Sequence, residues 1–407
     1  MLRQVEGSRA VAETVARCRP DVVAAYPISP QTHIVEALSD LVAERRAGRC
    51  EFLMVESEFG AMSACIGASA AGGRAYTATA SQGLLFMAEA LPNASGLRLP
   101  IVMTVANRAL GAPINIWNDH SDAMSQRDSG WIQLFASSNQ EAVDLHVQAF
   151  AVAESLHVPV MVNMDGFVLT HAMEAIDVPA QEQVDALLPP FHAAHRLDPE
   201  HPVTIGAMVG PEAFTEVKYL EAHRQLRALD AVRDVAREFR EVVGRDSGGL
   251  VSSYRLEDAD LVVVALGSVL GDAADVVDDL RDEGVLAGTH GVTCFRPWPF
   301  DEVREALAGA THVVVLNRAV SVGSGSILGQ DVRLALAGEQ TRVHDVVVGL
   351  GGRPVTRPGL RRLLDDVLAG RVSEGVLTFP DLDVDLVSRE LTREYGETTA
   401  TMQLEGR

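Results

Sequence analysis

The sequence predicts an α/β protein built on parallel, helix-covered sheets, and three observations carry that prediction. Over roughly the first 170 residues, short β-branched runs alternate with longer helical patterns, as they do when a crossover helix follows each strand. A second block of the same kind opens at Asp260 with LVVVALGS. Hydrophobic residues make up 47% of the 407 residues against 22% charged, enough for sizeable cores in two or three domains of about 150 residues each.

Residues 21–28 (DVVAAYPI) read as a buried strand. The segment 31–46 that follows sets Ile34, Val35, Leu38, Leu41 and Val42 along one helical stripe. Ser29 is its expected N-cap and Pro30 its first helical residue. Residues 51–55 form the next strand, and the Ala- and Gly-rich stretch 60–73 suits close helix packing. Further strands are expected at 75–80, 101–106 and 158–164. From about 175 to 250 the pattern is less regular: 188–202 (LPPFHAAHRLDPEHP) is punctuated as a linker, and 212–243 is a charged helical segment. In the second block strand-like runs recur at 312–316 and 345–349. Between them and Asp260, 272–283 carries six acids and Arg281, the pattern of a solvated face that could also guide a basic partner. The polar tail 379–407 is expected to lie on a partner or to be partly disordered.

With 34 Lys and Arg against 56 Asp and Glu, the net charge of −22 disfavours nucleic acid or an anionic membrane as a general partner. Cys18, Cys50, Cys65 and Cys294 are scattered, with none of the spacings that hold zinc or an iron–sulfur cluster. They read as reduced structural thiols of a cytoplasmic protein, and no metal site is expected in this chain. The start lacks the basic-then-apolar pattern of a signal peptide, and no apolar run reaches about 18 residues, so no membrane span is expected.

Ligands of open parallel sheets bind outside the carboxyl ends of the strands. Four expected strands carry polar residues there: Ser29, then Glu56 and Glu58, then Ser81 and Gln82, then Asn107 and Arg108. Each has a structural reading of its own, as a helix cap, a first-turn acid, a turn or a surface ion pair. Together they offer a carboxylate, hydroxyl and amide groups and a guanidinium, which suits an anionic substrate beside a group that needs a proton acceptor. Asp119, His120 and Asp122 suggest a metal or a triad, but no nucleophile or third ligand stands at a matching spacing. Gly323–Ser324–Gly325 and Gly349–Leu350–Gly351 do not make a dinucleotide fingerprint. They read as turns or subunit contacts, with coenzyme A or a partner as the alternative for the first.

YPISP at 26–30, ESEFGAM at 56–62, TASQGLLFM at 79–87, NRALGAPINIWNDHSD at 107–122, DSGWIQL at 128–134, MDGF at 164–167 and CFRPWPF at 294–300 together resemble the alpha chain of pyruvate:ferredoxin oxidoreductase and related 2-oxoacid:ferredoxin oxidoreductases. The resemblance spans roughly residues 15–375. It implies an α/β fold with a parallel-sheet, thiamine-diphosphate pyrimidine-binding-like domain at 1–185, a linker and helical segment at 186–254, a transketolase C-terminal-like α/β domain at 255–375 and a tail at 376–407.

The same resemblance implies the chemistry. Glu58 matches the carboxylate that holds N1′ of the aminopyrimidine of thiamine diphosphate, with Ser81 and Gln82 beside it as cofactor ligands. Arg108 matches the substrate-carboxylate ligand, and Ser29 stands where relatives commonly have Thr, keeping the hydroxyl and losing a methyl. The implied activity is the coenzyme A-dependent oxidative decarboxylation of a 2-oxoacid, pyruvate first among them, with electrons passed to ferredoxin. No GDG with a downstream Asn pair and no cluster cysteines occur here. A beta chain would therefore supply the Mg²⁺–diphosphate site and the iron–sulfur centres, with gamma and delta functions on other chains. The alternatives are a non-oxidative thiamine-dependent decarboxylase or carboligase subunit, and a non-catalytic paralogue acting as scaffold.

Overall fold

The computed structural model describes residues 2–396 and the backbone of Leu404 and Glu405. Of the expected tail, 397–403 and 406–407 lie outside the described residues. Contacts divide the chain into two units, Met1–Ser252 with Val292–Pro299, and Ser253–Gly291 with Phe300–Arg407.

In chain order the first unit runs β1 (Arg3–Glu6), α1 (Gly7–Arg17), β2 (Val22–Ala25), α2 (Thr32–Ala43), β3 (Glu51–Met54), α3 (Glu58–Ala70), β4 (Ala75–Thr79), α4 (Ser81–Phe86) and α5 (Ala90–Gly96). It continues with β5 (Val102–Asn107), α6 (Ser121–Ser125), β6 (Ile132–Phe135), α7 (Asn139–Leu156), β7 (Val160–Asp165), β8 (Met173–Ile176), α8 (Gln181–Leu187) and α9 (Phe214–Val243). The chain then forms β9 (Val251–Tyr254), β10 (Leu261–Ala265), α10 (Val269–Asp282) and β11 (Ala287–Val292), and β12 (Cys294–Arg296) returns to the first unit.

Seven strands make one sheet in the order β12-β6-β7-β5-β4-β2-β3. All neighbours are parallel except β12 on β6. Every residue of β4, β5 and β7 is buried, as expected of central strands covered by helices on both faces. β1 and β8 form a separate antiparallel pair. Helix α3 begins where Ser57 caps it, its hydroxyl accepting from Gly60 N at 3.1 Å, and this places Glu58 in the first turn. The charged helix of the sequence reading is α9, which buries Ala228, Val232 and Phe239 in the core that α7 also lines.

The expected cap of α2 is corrected. The helix starts at Thr32 with Gln31 in the capping place, so Ser29 is not the N-cap and Pro30 is not the first helical residue. The fully buried Gln31 side chain donates to Ala78 O at 2.5 Å and to Tyr26 O at 3.2 Å, and Gln31 N donates to Ile28 O at 2.8 Å. Those bonds hold 28–31 as a turn tied to β4, and the helix can wind only after it.

The second unit continues with α11 (Phe300–Leu307), β13 (His312–Asn317), α12 (Leu328–Ala335), β14 (Arg342–Val347), α13 (Arg357–Leu368), β15 (Val376–Leu377), α14 (Val384–Tyr395) and β16 (Leu404–Glu405). Its sheet has the order β14-β13-β10-β11-β9, and α10 and α13 contribute Val276, Val277, Leu280, Leu360 and Leu364 to its core. The acidic run lies on α10 and is matched within the unit: Arg357 pairs with Asp275 and Asp279, Arg255 with Asp278, and Arg361 with Glu283. That pairing favours an ion-paired, solvated face over a guide for a basic partner. The described part of the tail holds α14, capped by Asp383 accepting from Leu386 N at 2.9 Å, with no side chain buried.

Arg74 closes the lower part of the first unit's core. It is 6% exposed, pairs with the mostly buried Glu154, and donates to Cys18 O and Pro189 O. Arg74→Ala leaves the Glu154 carboxylate buried without its cation and is expected to lower stability by about 3–5 kcal/mol, read from the denaturant midpoint of the purified chain.

Candidate functional site: the strand-end cradle of the first unit

Asp122 is fully buried and accepts four hydrogen bonds. Oδ2 takes Ser81 N at 2.9 Å and Arg108 N at 3.0 Å; Oδ1 takes Asn107 Nδ2 at 2.9 Å and Ala123 N at 2.7 Å. Burial pushes its carboxyl up from the ordinary value while these four N–H donors pull against it. One side chain thereby ties the start of α4, the end of β5 and the start of α6 together. His120, beside it, pairs through Nε2 with Asp165 Oδ1 at 2.7 Å, both 1% exposed, so the same loop is pinned to the end of β7. No spacing in the sequence marked Asp122 as the organiser; the only signal was its place in the D-H-x-D cluster.

Arg108 hangs from this knot. Its guanidinium is 7% exposed and is held by two carbonyls, donating from Nη1 to Ser29 O at 2.8 Å and from Nε to Asn115 O at 3.2 Å. Among the described residues no carboxylate forms an ion pair with it, and burial pushes its pKa down from the ordinary value. Ser29 is thus brought to Arg108 through its backbone, leaving an exposed hydroxyl with no partner among the described residues. The loop after Arg108 turns Ile114, Ile116 and Trp117 outward, 80%, 43% and 53% exposed.

Glu58 has the opposite sign and the same condition. It is 7% exposed, and its side chain has no hydrogen-bond or ion-pair partner among the described residues. It lies against Gly83 in α4: a Cβ there would stand 2.7 Å from Glu58 Oε1 and 2.5 Å from Thr79 Oγ1. Thr79 Oγ1 and Asn107 Oδ1 are themselves buried without a partner among the described residues. A carboxylate, a hydroxyl and a bare glycine backbone therefore converge. The unpartnered carboxylate and hydroxyl can take hydrogen-bond donors such as a protonated ring nitrogen or an exocyclic amino group. Sequence reasoning did not pick out Thr79 or Gly83.

Ser81 and Gln82 open α4, next to Gly83. Ser81 is at φ +50°, a backbone region uncommon for a residue with a Cβ, and is held there by Asp122 on its N–H. Its hydroxyl has Ala109 O at 2.5 Å and Gln82 Oε1 in reach, so it is engaged within the chain. The Gln82 amide lies against Gly111, where a Cβ would stand 2.8 Å from Nε2. In the second unit, Gly323 and Gly325, both at positive φ, form a tight turn closed by Ser321 N to Gly325 O at 2.8 Å, on the rim of a cavity of about 800 Å³. The four cysteines are buried and form no disulfide among the described residues, and burial pushes the Cys50 and Cys65 thiols up to about 12, which disfavours the reactive thiolate at those two.

Asp122→Asn keeps the shape but turns an acceptor into a donor among four N–H groups. It is expected to cost about 2–4 kcal/mol in denaturant unfolding. It should also disorder Arg108 and Ser81, visible as lost amide protection at both.

Residues 13–238 match the family described as pyruvate flavodoxin/ferredoxin oxidoreductase, thiamine diphosphate-binding, and residues 259–358 match pyruvate:ferredoxin oxidoreductase core domain II. The chain is 46% identical over 387 residues to the pyruvate synthase subunit PorA of Methanosarcina barkeri, covering 94% of this chain and 96% of that protein. It is 45% identical over 377 residues to the PorA subunit of Thermotoga maritima, covering 90% and 95%. To the ketoisovalerate oxidoreductase subunit VorA of Pyrococcus abyssi it is 40% identical over 366 residues, covering 89% and 92%. Among solved structures, a 2-oxoglutarate:ferredoxin oxidoreductase from Magnetococcus marinus superposes with a TM-score of 0.67 over 90% of this chain at 19% identity, a likeness of fold; the chain spans 65% of that one. No helix among the described residues is long and apolar enough to cross a membrane. On matches that run through most of its length, the chain belongs to the pyruvate flavodoxin/ferredoxin oxidoreductase family, as an alpha-type subunit of the 2-oxoacid:ferredoxin oxidoreductases.

Proposed function

We propose that this chain is the half of a thiamine-dependent 2-oxoacid:ferredoxin oxidoreductase that holds the pyrimidine of the cofactor and the substrate carboxylate. The observation that carries the reading is the pair of buried charges at the strand ends, Glu58 and Arg108, neither of which forms an ion pair among the described residues. A buried charge without a partner is costly, and each of these two has the sign that one reactant group needs.

Glu58 would hold N1′ of the aminopyrimidine, its carboxylate accepting from the ring nitrogen in its protonated form, with Gly83 and the Thr79 hydroxyl beside it. Thiamine diphosphate, when bound, supplies the electron sink for loss of carbon dioxide. Arg108 binds the carboxylate of the 2-oxoacid and the Ser29 hydroxyl donates to it. Because Arg108 is anchored by two carbonyls rather than by an acid, its charge is available to the substrate. Ser81 and Gln82 shape the floor of the cradle between the two.

A beta chain carries the Mg²⁺–diphosphate site and the iron–sulfur centres and covers the exposed Ile114, Ile116 and Trp117 loop, with gamma and delta functions on further chains. Coenzyme A takes the acyl group and ferredoxin the two electrons. Pyruvate is the preferred substrate, because the relatives named for pyruvate synthase reach 46% identity against 40% for those named for ketoisovalerate. The four free, buried thiols favour a reducing, cytoplasmic setting. The domain reading of 1–185, 186–254, 255–375 and 376–407 stands as part of this proposal.

The test is turnover of the chain assembled with its beta partner. Glu58→Gln is expected to lower kcat by about 10²–10⁴ while the complex still assembles; full turnover in that variant overturns the assignment. In the same complex Arg108→Ala should raise KM for the 2-oxoacid by roughly 10- to 100-fold, the worth of a charge-assisted hydrogen bond. Gly83→Ala should weaken cofactor binding, as measured by calorimetry, because its Cβ would enter the cradle.

A further inference from the structure

Three side chains outside the cradle converge from three elements of the first unit. Glu6 ends β1, His33 stands in the first turn of α2, and His171 precedes β8. The β1–β8 register sets Glu6 opposite Met173, and Gly7 N donates to Ala172 O at 3.0 Å, so one ladder positions both Glu6 and His171. His33 Nδ1–H donates to Glu6 Oε1 at 2.6 Å, and the rings of His33 and His171 stand 4.5 Å apart between centroids. One ligating atom from each of the three residues lies within 4.8 Å of the other two.

The surroundings match those of a ligand set. His171 Nδ1 is paired with the Thr170 hydroxyl at 2.7 Å, and that hydroxyl is held by Phe167 N at 2.8 Å. This is the outer-shell hydrogen bond that orients a ligating imidazole and leaves Nε2 for the ion. Glu13 takes the nearby guanidinium groups of Arg3 and Arg9. Among the described residues, no arginine or lysine pairs with Glu6, whose ion-pair partner is His33.

We propose that Glu6, His33 and His171 form a binding site for a divalent transition-metal cation of the zinc class, with water completing the coordination. Two imidazoles and one carboxylate select such ions over the hard, oxygen-seeking Mg²⁺ and Ca²⁺. Bonds of about 2.0–2.2 Å place tetrahedral ligands roughly 3.5 Å apart, so rotation of these partly exposed side chains closes gaps of up to 4.8 Å by at most about 1.3 Å and opens the 2.6 Å Glu6–His33 pair by about 0.9 Å. On binding, the His33 proton moves from Nδ1 to the ring's other nitrogen and the Nδ1 lone pair turns to the ion. The ion fastens the first turn of α2, on the segment that carries Ser29, to the β1–β8 pair. Residues at 6, 33 and 171 form no sequence motif, which is why a search by spacing does not find them.

The experiment is a Co²⁺ titration of the full-length chain after chelator treatment, followed by ligand-field absorption and displaced by Zn²⁺. One equivalent is expected to bind and to raise the Tm. His33→Ala and His171→Ala should each weaken binding by about tenfold or more, and Glu6→Gln should weaken it too. Since all four thiols are buried, cysteine coordination does not compete. Circular dichroism of His33→Gln and His171→Gln checks that loss of binding is not loss of fold. No saturable binding by the unaltered chain, or binding unchanged in the His33→Ala/His171→Ala double variant, overturns the proposal.

Discussion

The cradle depends on one buried carboxylate. A parallel sheet brings the carboxyl ends of several strands to one edge, and there the backbone leaves its ladder with N–H groups pointing into the protein. Asp122 gathers three such donors, from Ser81, Arg108 and Ala123, and a fourth from the side-chain amide of Asn107. In a low-dielectric interior each of those bonds is strong and each would be costly to leave unmade. The placement of α4, and with it Gly83 and Gln82, follows from that knot, as does the direction in which Arg108 leaves β5. The His120–Asp165 pair repeats the device one strand further along.

Against that background the two charges without counter-ions stand out. Arg74, Asp144 and Glu154 are buried too, but each has its opposite charge at hand. Among the described residues Glu58 and Arg108 form no ion pair, although both are buried; Arg108 feels Asp122 only through space. Asp122 is met by four N–H donors, whereas the side chain of Glu58 has no partner and that of Arg108 has only carbonyl oxygens among the described residues. This is the physical character of a half-site, in which a cofactor ring, a substrate carboxylate and a partner surface complete what the fold begins.

The region around Ser29 joins the cradle to the histidine cluster. The rings of Trp117, Phe167, His171 and His33 follow one another at centroid distances of 4.9, 4.8 and 4.5 Å. The loop that carries Arg108 therefore shares a packed row of rings with the proposed cation ligands, and Arg108 itself grips the carbonyl of Ser29.

The sequence by itself determined the parallel α/β plan, the central strands, the helix stripe of Ile34, Val35, Leu38 and Leu41, and the family, because periodicity and motif spacing are local properties of a chain. It also pointed to Ser29, Glu58, Ser81, Gln82 and Arg108 by a topological rule, that polar residues just past parallel strands share one edge. Other features were settled only in three dimensions. The turn held by Gln31 displaced the expected cap at Ser29, because a buried side chain bonded to a neighbouring strand outweighed local capping preference. Strand β12 joined the first sheet from far along the chain, where no local pattern announces the partner. The roles of Asp122 and Thr79, and the meeting of Glu6, His33 and His171, rest on contacts between residues distant in sequence. A linear pattern names residue types, whereas burial and the presence or absence of a partner, which decide what a charge can do, exist only once the chain is folded.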